Sequence, residues 1–206
     1  MGGLKESNSN ITFVNIKDGN LSVKQLNGDY KSYRSLGGII KRVAFEVKTS
    51  QDGSKTYQTC KFILQNGEEA YQLELYTDSR YFLSLCNFLK SSNPLEEVEI
   101  SPSEKPNDNG KKVQTFFVKQ HDKSLKAAYT LNNMGDLPPL EPIPGTTYFD
   151  NSKQVEFWKN WLIATYGEFK INATPQQVQS VAQNQSADTI DPNSISEPLD
   201  DSELPF

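Results

Sequence analysis

The chain has 206 residues, of which 35% are hydrophobic, and a formal net charge of −5, which is enough apolar matter for one buried core. No stretch approaches the roughly 18 consecutive apolar residues of a membrane span. The opening Met1-Gly2-Gly3-Leu4-Lys5-Glu6-Ser7 lacks the apolar run of a signal peptide, and Glu6 stands where a myristoylation signal needs Ser or Thr. The expectation is a cytoplasmic protein with no membrane partner, in which Cys60 and Cys86, each inside an apolar pattern, are buried thiols in a reducing compartment.

Taken in chain order, the body reads mostly as strand. Ile11 to Lys17 and Leu21 to Leu26 flank Asp18-Gly19-Asn20, a hairpin signal. Tyr30 to Arg34 reads as a loop before Gly37-Gly38. Ile39 to Thr49 alternates, with Val43, Phe45 and Val47 on the core face and Arg42, Ala44, Glu46 and Lys48 opposite. The turn Gln51-Asp52-Gly53-Ser54 leads into a strand from Lys55 to Leu64, and Asn66-Gly67 into another from Ala70 to Tyr76. The period then becomes helical: Asp78 is a good N-cap, and Phe82, Leu85, Cys86 and Leu89 recur at helix spacing until Asn93-Pro94. Two strands follow, Leu95 to Ser101 and Lys111 to Gln120. This order predicts an all-β fold with few helices, an OB-like Greek-key barrel whose helix lies between its third and fourth strands; an SH3-like barrel or an irregular sandwich would share the pattern.

Residues 1-135 are thus expected to form the OB-like domain. Residues 136-170 hold a proline-rich strap around Leu137-Pro138-Pro139-Leu140-Glu141-Pro142 and a second helix, Ser152 to Tyr166. Its stripe of Val155, Trp158, Leu162 and Tyr166 packs on the barrel or on a second copy of the chain, a candidate homo-oligomer contact.

Charge is segregated. From Ile171 to Phe206 there are six acids and no Lys or Arg, whereas basic side chains cluster on the strands. Cations spaced along a sheet with interleaved aromatic rings suit single-stranded nucleic acid, which needs phosphate neutralisation and stacking surfaces. Lys55, Tyr57 and Lys61 share one strand face; Lys41, Arg42 and Lys48 lie on the neighbouring strand; Tyr33 and Arg34 could clamp from their loop; Lys111, Lys112 and Lys119 line the last strand, where Phe116 or Phe117 must face away from the core. These residues form the expected ssDNA-binding set, with Phe116 taken as the second stacking platform. None of them reads a particular base. The expectation is of no enzyme, metal or cofactor: the single His121 sits in a polar turn, there is no phosphate-binding loop, and Glu68-Glu69 and Glu96-Glu97 point to opposite faces if in strands.

Residues 171-199 are rich in Gln, Asn, Ser, Thr and Asp, so a disordered linker with a reach of roughly 30 Å is expected. The chain closes on Asp200-Asp201-Ser202-Glu203-Leu204-Pro205-Phe206, an acidic head followed by two apolar side chains around a φ-fixing proline. This tip resembles that of the bacterial single-stranded-DNA-binding proteins, which close with an Asp-rich run and Ile-Pro-Phe. Pro205 and Phe206 match, Leu204 replaces Ile, Asp200, Asp201 and Glu203 match the acidic positions, and Ser202 interrupts the run. The resemblance implies a sequence-independent protector of ssDNA in replication, recombination or repair, in a bacterial cell or a phage-infected host. In that family the terminal Phe enters a pocket of a partner such as a polymerase, primase, helicase or nuclease, and the acids meet a basic rim; here those roles fall to Phe206 and to Asp200, Asp201 and Glu203. An adaptor whose barrel binds protein, or an RNA-binding OB protein, remains the alternative reading.

Overall fold

The computed structural model describes residues 11–107, 110–146 and 148–167; the linker 171-199 and the tip Asp200 to Phe206 lie outside the described residues. Strands β1 (Ile11–Lys17), β2 (Asn20–Lys24), β3 (Tyr30–Tyr33), β4 (Leu36–Thr49), β5 (Thr56–Asn66) and β6 (Glu69–Tyr76) precede helix α1 (Arg80–Leu89). Then come β7 (Val98–Pro106), β8 (Lys112–Gln120), the short β9 (Lys123–Ser124), β10 (Glu141–Pro142) and β11 (Phe149–Asp150), and helix α2 (Ser152–Tyr166).

The central strands lie side by side as β6-β5-β4-β7-β8, a three-strand meander, a helix and a returning strand pair, which is the expected OB-like arrangement. One long strand makes it work. Leu36 to Gly38 of β4 pair with β7, and Ile39 to Thr49 pair with β5, so β4 passes from one half of the sheet to the other. The crossing is at Gly38, whose φ of +154° and 2.9 Å approach of a would-be Cβ to the Gln65 carbonyl oxygen leave room for glycine alone. A bulge between Ile40 and Arg42, with Lys41 as the extra residue, bends the strand further.

The closing seam departs from a simple five-strand barrel. β1 pairs in parallel with β6, Ile11 to Val14 against Ala70 to Leu73, and its hairpin with β2 turns at Asp18-Gly19 against β7. A Cβ on Gly19, where φ is +71°, would lie 2.7 Å from the Glu104 nitrogen. β3 extends this hairpin as an edge strand. Tyr30 to Tyr33 are therefore not in a loop: Leu21 and Val23 of β2 give them a ladder through Tyr33 and Lys31.

Helix α1 fills the barrel. Its N-cap is Ser79 rather than Asp78, the Ser79 hydroxyl accepting from the Phe82 amide at 3.2 Å. Phe82, Leu85, Cys86 and Leu89 are buried against Cys60, Phe62, Leu64, Leu73 and Leu75. Burial pushes both the Cys60 and Cys86 thiols well up from the usual thiol range. Ser84 Oγ accepts from the Phe116 amide at 3.0 Å, fixing α1 to β8. Val43 is fully buried as expected, but Val47 is 64% exposed, because the inner face runs beyond the helix there. The strand expected from Leu95 begins at Val98, and Leu95 is exposed in the turn after Pro94.

The strap and α2 close one side. Gln154 Nε2 donates to the Pro138 carbonyl at 2.8 Å, and Asn87 bonds both ways with the Tyr129 backbone, at 3.1 and 2.9 Å. Trp158 and Leu162 are buried, and Trp158 packs 5.7 Å from the Tyr129 ring and 5.1 Å from Phe157. The stripe therefore packs on its own barrel. After α2 the Gly167 carbonyl accepts from the Val43 amide at 3.1 Å, so the chain leaves the described region at the edge of β4.

Candidate nucleic-acid interface

Register assigns every side chain of β4, β5 and β6 to one of two faces. The inner face carries Val43, Phe62 and Leu73 in one row and Phe45, Cys60 and Leu75 in the next. The outer rows are Arg42, Ile63 and Gln72; Ala44, Lys61 and Glu74; Glu46, Thr59 and Tyr76; and Lys48 opposite Tyr57. Arg42, Lys48, Tyr57 and Lys61 are thus brought onto one surface. β1 continues it, because Phe13 stands beside Gln72 and is 62% exposed.

The surface has an aromatic centre. The Tyr57 and Tyr76 rings meet at 5.2 Å with an interplanar angle of 65°, and Tyr76 remains 46% exposed. An edge-to-face pair of this kind holds each ring at a set angle and leaves a face for another flat group. Partial burial pushes the Tyr76 hydroxyl above its ordinary pKa, with Tyr57 adding to the effect, so the ring carries no charge near neutrality.

The cations of this face are held by carboxylates. Lys61 Nζ lies 2.6 Å from Glu46 Oε2, Lys48 pairs with Glu74, and Lys48 is also 3.7 Å from Glu46. The Lys61 ammonium is the largest influence on Glu46 and holds its carboxyl below the usual range. For Lys48 burial acts to lower the pKa, but Glu74 and Glu46 outweigh it and raise the ammonium above its ordinary value. Beneath the pairs Thr59 is buried, its hydroxyl without a hydrogen-bond partner among the described residues. The surface is therefore nearly neutral rather than a basic groove.

The other expected residues do not join it. Phe116 is fully buried and meets Tyr81 at 5.4 Å, so it offers no platform; Phe117, 52% exposed, is the outward member of that pair. The reason is α1, which packs over the Phe116 side of β8. Lys112 and Lys119 lie on β8, 2.7 Å from Glu104 and 3.8 Å from Glu99, and Lys111 precedes that strand. Tyr33 pairs with the core residue Leu21, so register turns it to the opposite sheet face from Tyr57; Lys31 sits 5.1 Å from its ring centroid, and Arg34 follows it, exposed. Lys41 is at the bulge and exposed, and Lys55 is exposed in the β4–β5 turn, which Asp52 ties through Ser50 and Ser54 at 2.6 and 2.7 Å. His121 Nε2 lies 2.6 Å from Glu96 Oε2 in an exposed turn.

Tyr76 and Phe13 are absent from the sequence expectation. Alternation could have found Tyr76, since it falls opposite Tyr71, Leu73 and Leu75; Phe13 depends on the parallel β1–β6 pairing. No protein-family model, curated protein or solved structure matches the chain.

Proposed function

We propose that this protein binds single-stranded DNA through the outer face of β4, β5 and β6, independent of base order, and protects it during replication, recombination or repair in a bacterial cell or a phage-infected host. The observation that carries this reading is the half-exposed Tyr57–Tyr76 pair. In OB barrels the face of the second and third strands is where oligonucleotides sit, and β5 and β6 occupy those places here. Aromatic stacking is tolerant of sequence because every base has a π-face. The acidic tip with Leu204, Pro205 and Phe206 supports a second role, docking of a polymerase, primase, helicase or nuclease, in which Phe206 supplies the anchor and Asp200, Asp201 and Glu203 the charge.

The near-neutral face favours one other reading, an adaptor whose barrel binds protein. Anisotropy of a labelled oligo-dT, set against a duplex of equal length, separates the two. The DNA reading expects the single strand to bind tighter, and it fails if neither binds or both bind alike. Deletion of Phe206 is expected to abolish capture of a replication or repair partner while sparing DNA; unchanged capture would overturn the docking role.

A further inference from the structure

Past the tyrosine pair, a groove of about 500 Å³ opens between the start of β5, the β6–α1 turn and α2, within the size range of small-ligand sites. Tyr57 forms one wall, so the same ring borders both the outer sheet face and this groove. Gln58, Asp78, Glu156, Lys159 and Asn160 are among the polar residues that line the rest. Two acids and one lysine thus line the groove, and the ammonium of that lysine lies over another ring, with Lys159 Nζ 5.5 Å from the centroid of the Phe45 ring. Asp78, Glu156 and Asn160 are exposed, and neither acid forms an ion pair among the described residues.

This lining disfavours phosphate, which would meet two carboxylates against a single ammonium. It suits the edge of a flat group that carries N–H donors. Cytosine presents its N4 amino group and adenine its N6 amino group, which carboxylates accept from, while thymine presents a carbonyl oxygen at the equivalent place and would be repelled. Asn160 and Gln58 can give or accept beside it.

We propose that this groove is a nucleobase site that favours bases bearing an exocyclic amino group, filled by a nucleotide turned over the rim at Tyr57. The inference rests on the single-stranded-DNA reading and adds to it a bias in base composition. Phosphates stay on the open side, and the stacking rings upstream remain indifferent to the base.

The test uses the full chain and labelled dC and dT oligomers of equal length, at neutral pH and fixed salt. One charge-assisted contact made with cytosine and lost with thymine gives about tenfold tighter binding of the dC oligomer. Asp78→Asn should bring that ratio toward one, and Asp78→Asn with Glu156→Gln should bring it closer still; thermal melts of both variants check that they fold. Asn160→Ala is a second probe and should also narrow the ratio. A wild-type ratio at or below one, or a ratio preserved in the double variant, overturns the base site while leaving single-strand binding in place. Failure of both oligomers to bind removes the single-strand reading, and this site with it.

Discussion

Truncating Tyr76 to alanine tests the stacking face with the least structural disturbance. Tyr76 is 46% exposed and its one ring neighbour among the described residues is Tyr57, at 5.2 Å. Such a pair contributes about 0.5 to 1.5 kcal/mol beyond burial, so with the lost half-burial the variant should cost about 1 to 2 kcal/mol and lower the melting temperature by roughly 3 to 8 °C. It should therefore remain folded at 25 °C. A base stacked on the ring adds about 1 to 3 kcal/mol, so oligo-dT affinity should fall about 5-fold to 150-fold. Tyr57→Ala should cost a similar amount, and Tyr76→Phe, which keeps the ring, should bind almost as tightly as the wild type. The assay is anisotropy of labelled oligo-dT, with a melt of each variant alongside. If Tyr76→Ala melts a few degrees lower yet binds as the wild type does, the pair is structural and the stacking argument is refuted.

Further predictions follow from the charges. Glu46→Gln frees Lys61 for a phosphate, so the slope of log affinity against log salt should steepen by about 0.7, one added contact to a single strand; an unchanged slope would show that Lys61 makes no phosphate contact. Because folding lowers the Glu46 pKa, its pairing stabilises the fold above the ordinary carboxylate value of 4.5 and is lost as pH falls below it. Because folding raises the Lys48 pKa, its share is present below 10.5 and lost as pH rises through that range. Melts across pH should accordingly show a weaker acid limb in Glu46→Gln than in the wild type, and identical limbs would contradict the pairing. Thr59→Val removes a buried hydroxyl that has no partner among the described residues, so stability should stay level or rise; a drop of more than about 1 kcal/mol by denaturant melts would mean that the hydroxyl is satisfied. Removing residues 171 to 206 takes away six acids and no bases, and oligo-dT affinity should hold or rise, most clearly at low salt; a loss of affinity would place DNA contacts in that segment.

How far the sequence could be read depended on the range of the interactions involved. Alternation from Ile39 to Tyr76 and the helical spacing of Phe82, Leu85, Cys86 and Leu89 are local signals, and they placed β4, β5, β6 and α1 nearly as observed. α2 was legible end to end. The parallel β1–β6 pairing joins segments some sixty residues apart with no turn between them to set register, so Phe13 could not be placed beside Gln72. Tyr30 to Tyr33 read as a loop because four residues between polar stretches carry little alternation, and only β2 makes them a strand. Phe116 and Phe117 are equivalent as neighbouring aromatics, and the packing of α1 on β8 decides between them. Lys48 and Lys61 looked like free cations since their partners, Glu74 and Glu46, lie across the strands rather than along them. Cross-strand neighbours follow from register, which the β4–β5 turn fixes only once its length is known.

Photo-crosslinking of the full chain to a single-stranded oligomer carrying a 5-iodinated pyrimidine, followed by peptide mapping, tests the proposed interface most directly. The chemistry joins the base to an aromatic ring in van der Waals contact with it. Adducts are expected on Tyr57 and Tyr76, with Phe13 at the edge of the same face. Adducts confined to Tyr30, Tyr33 or Phe117, with the β5–β6 tyrosines unmodified, would contradict it.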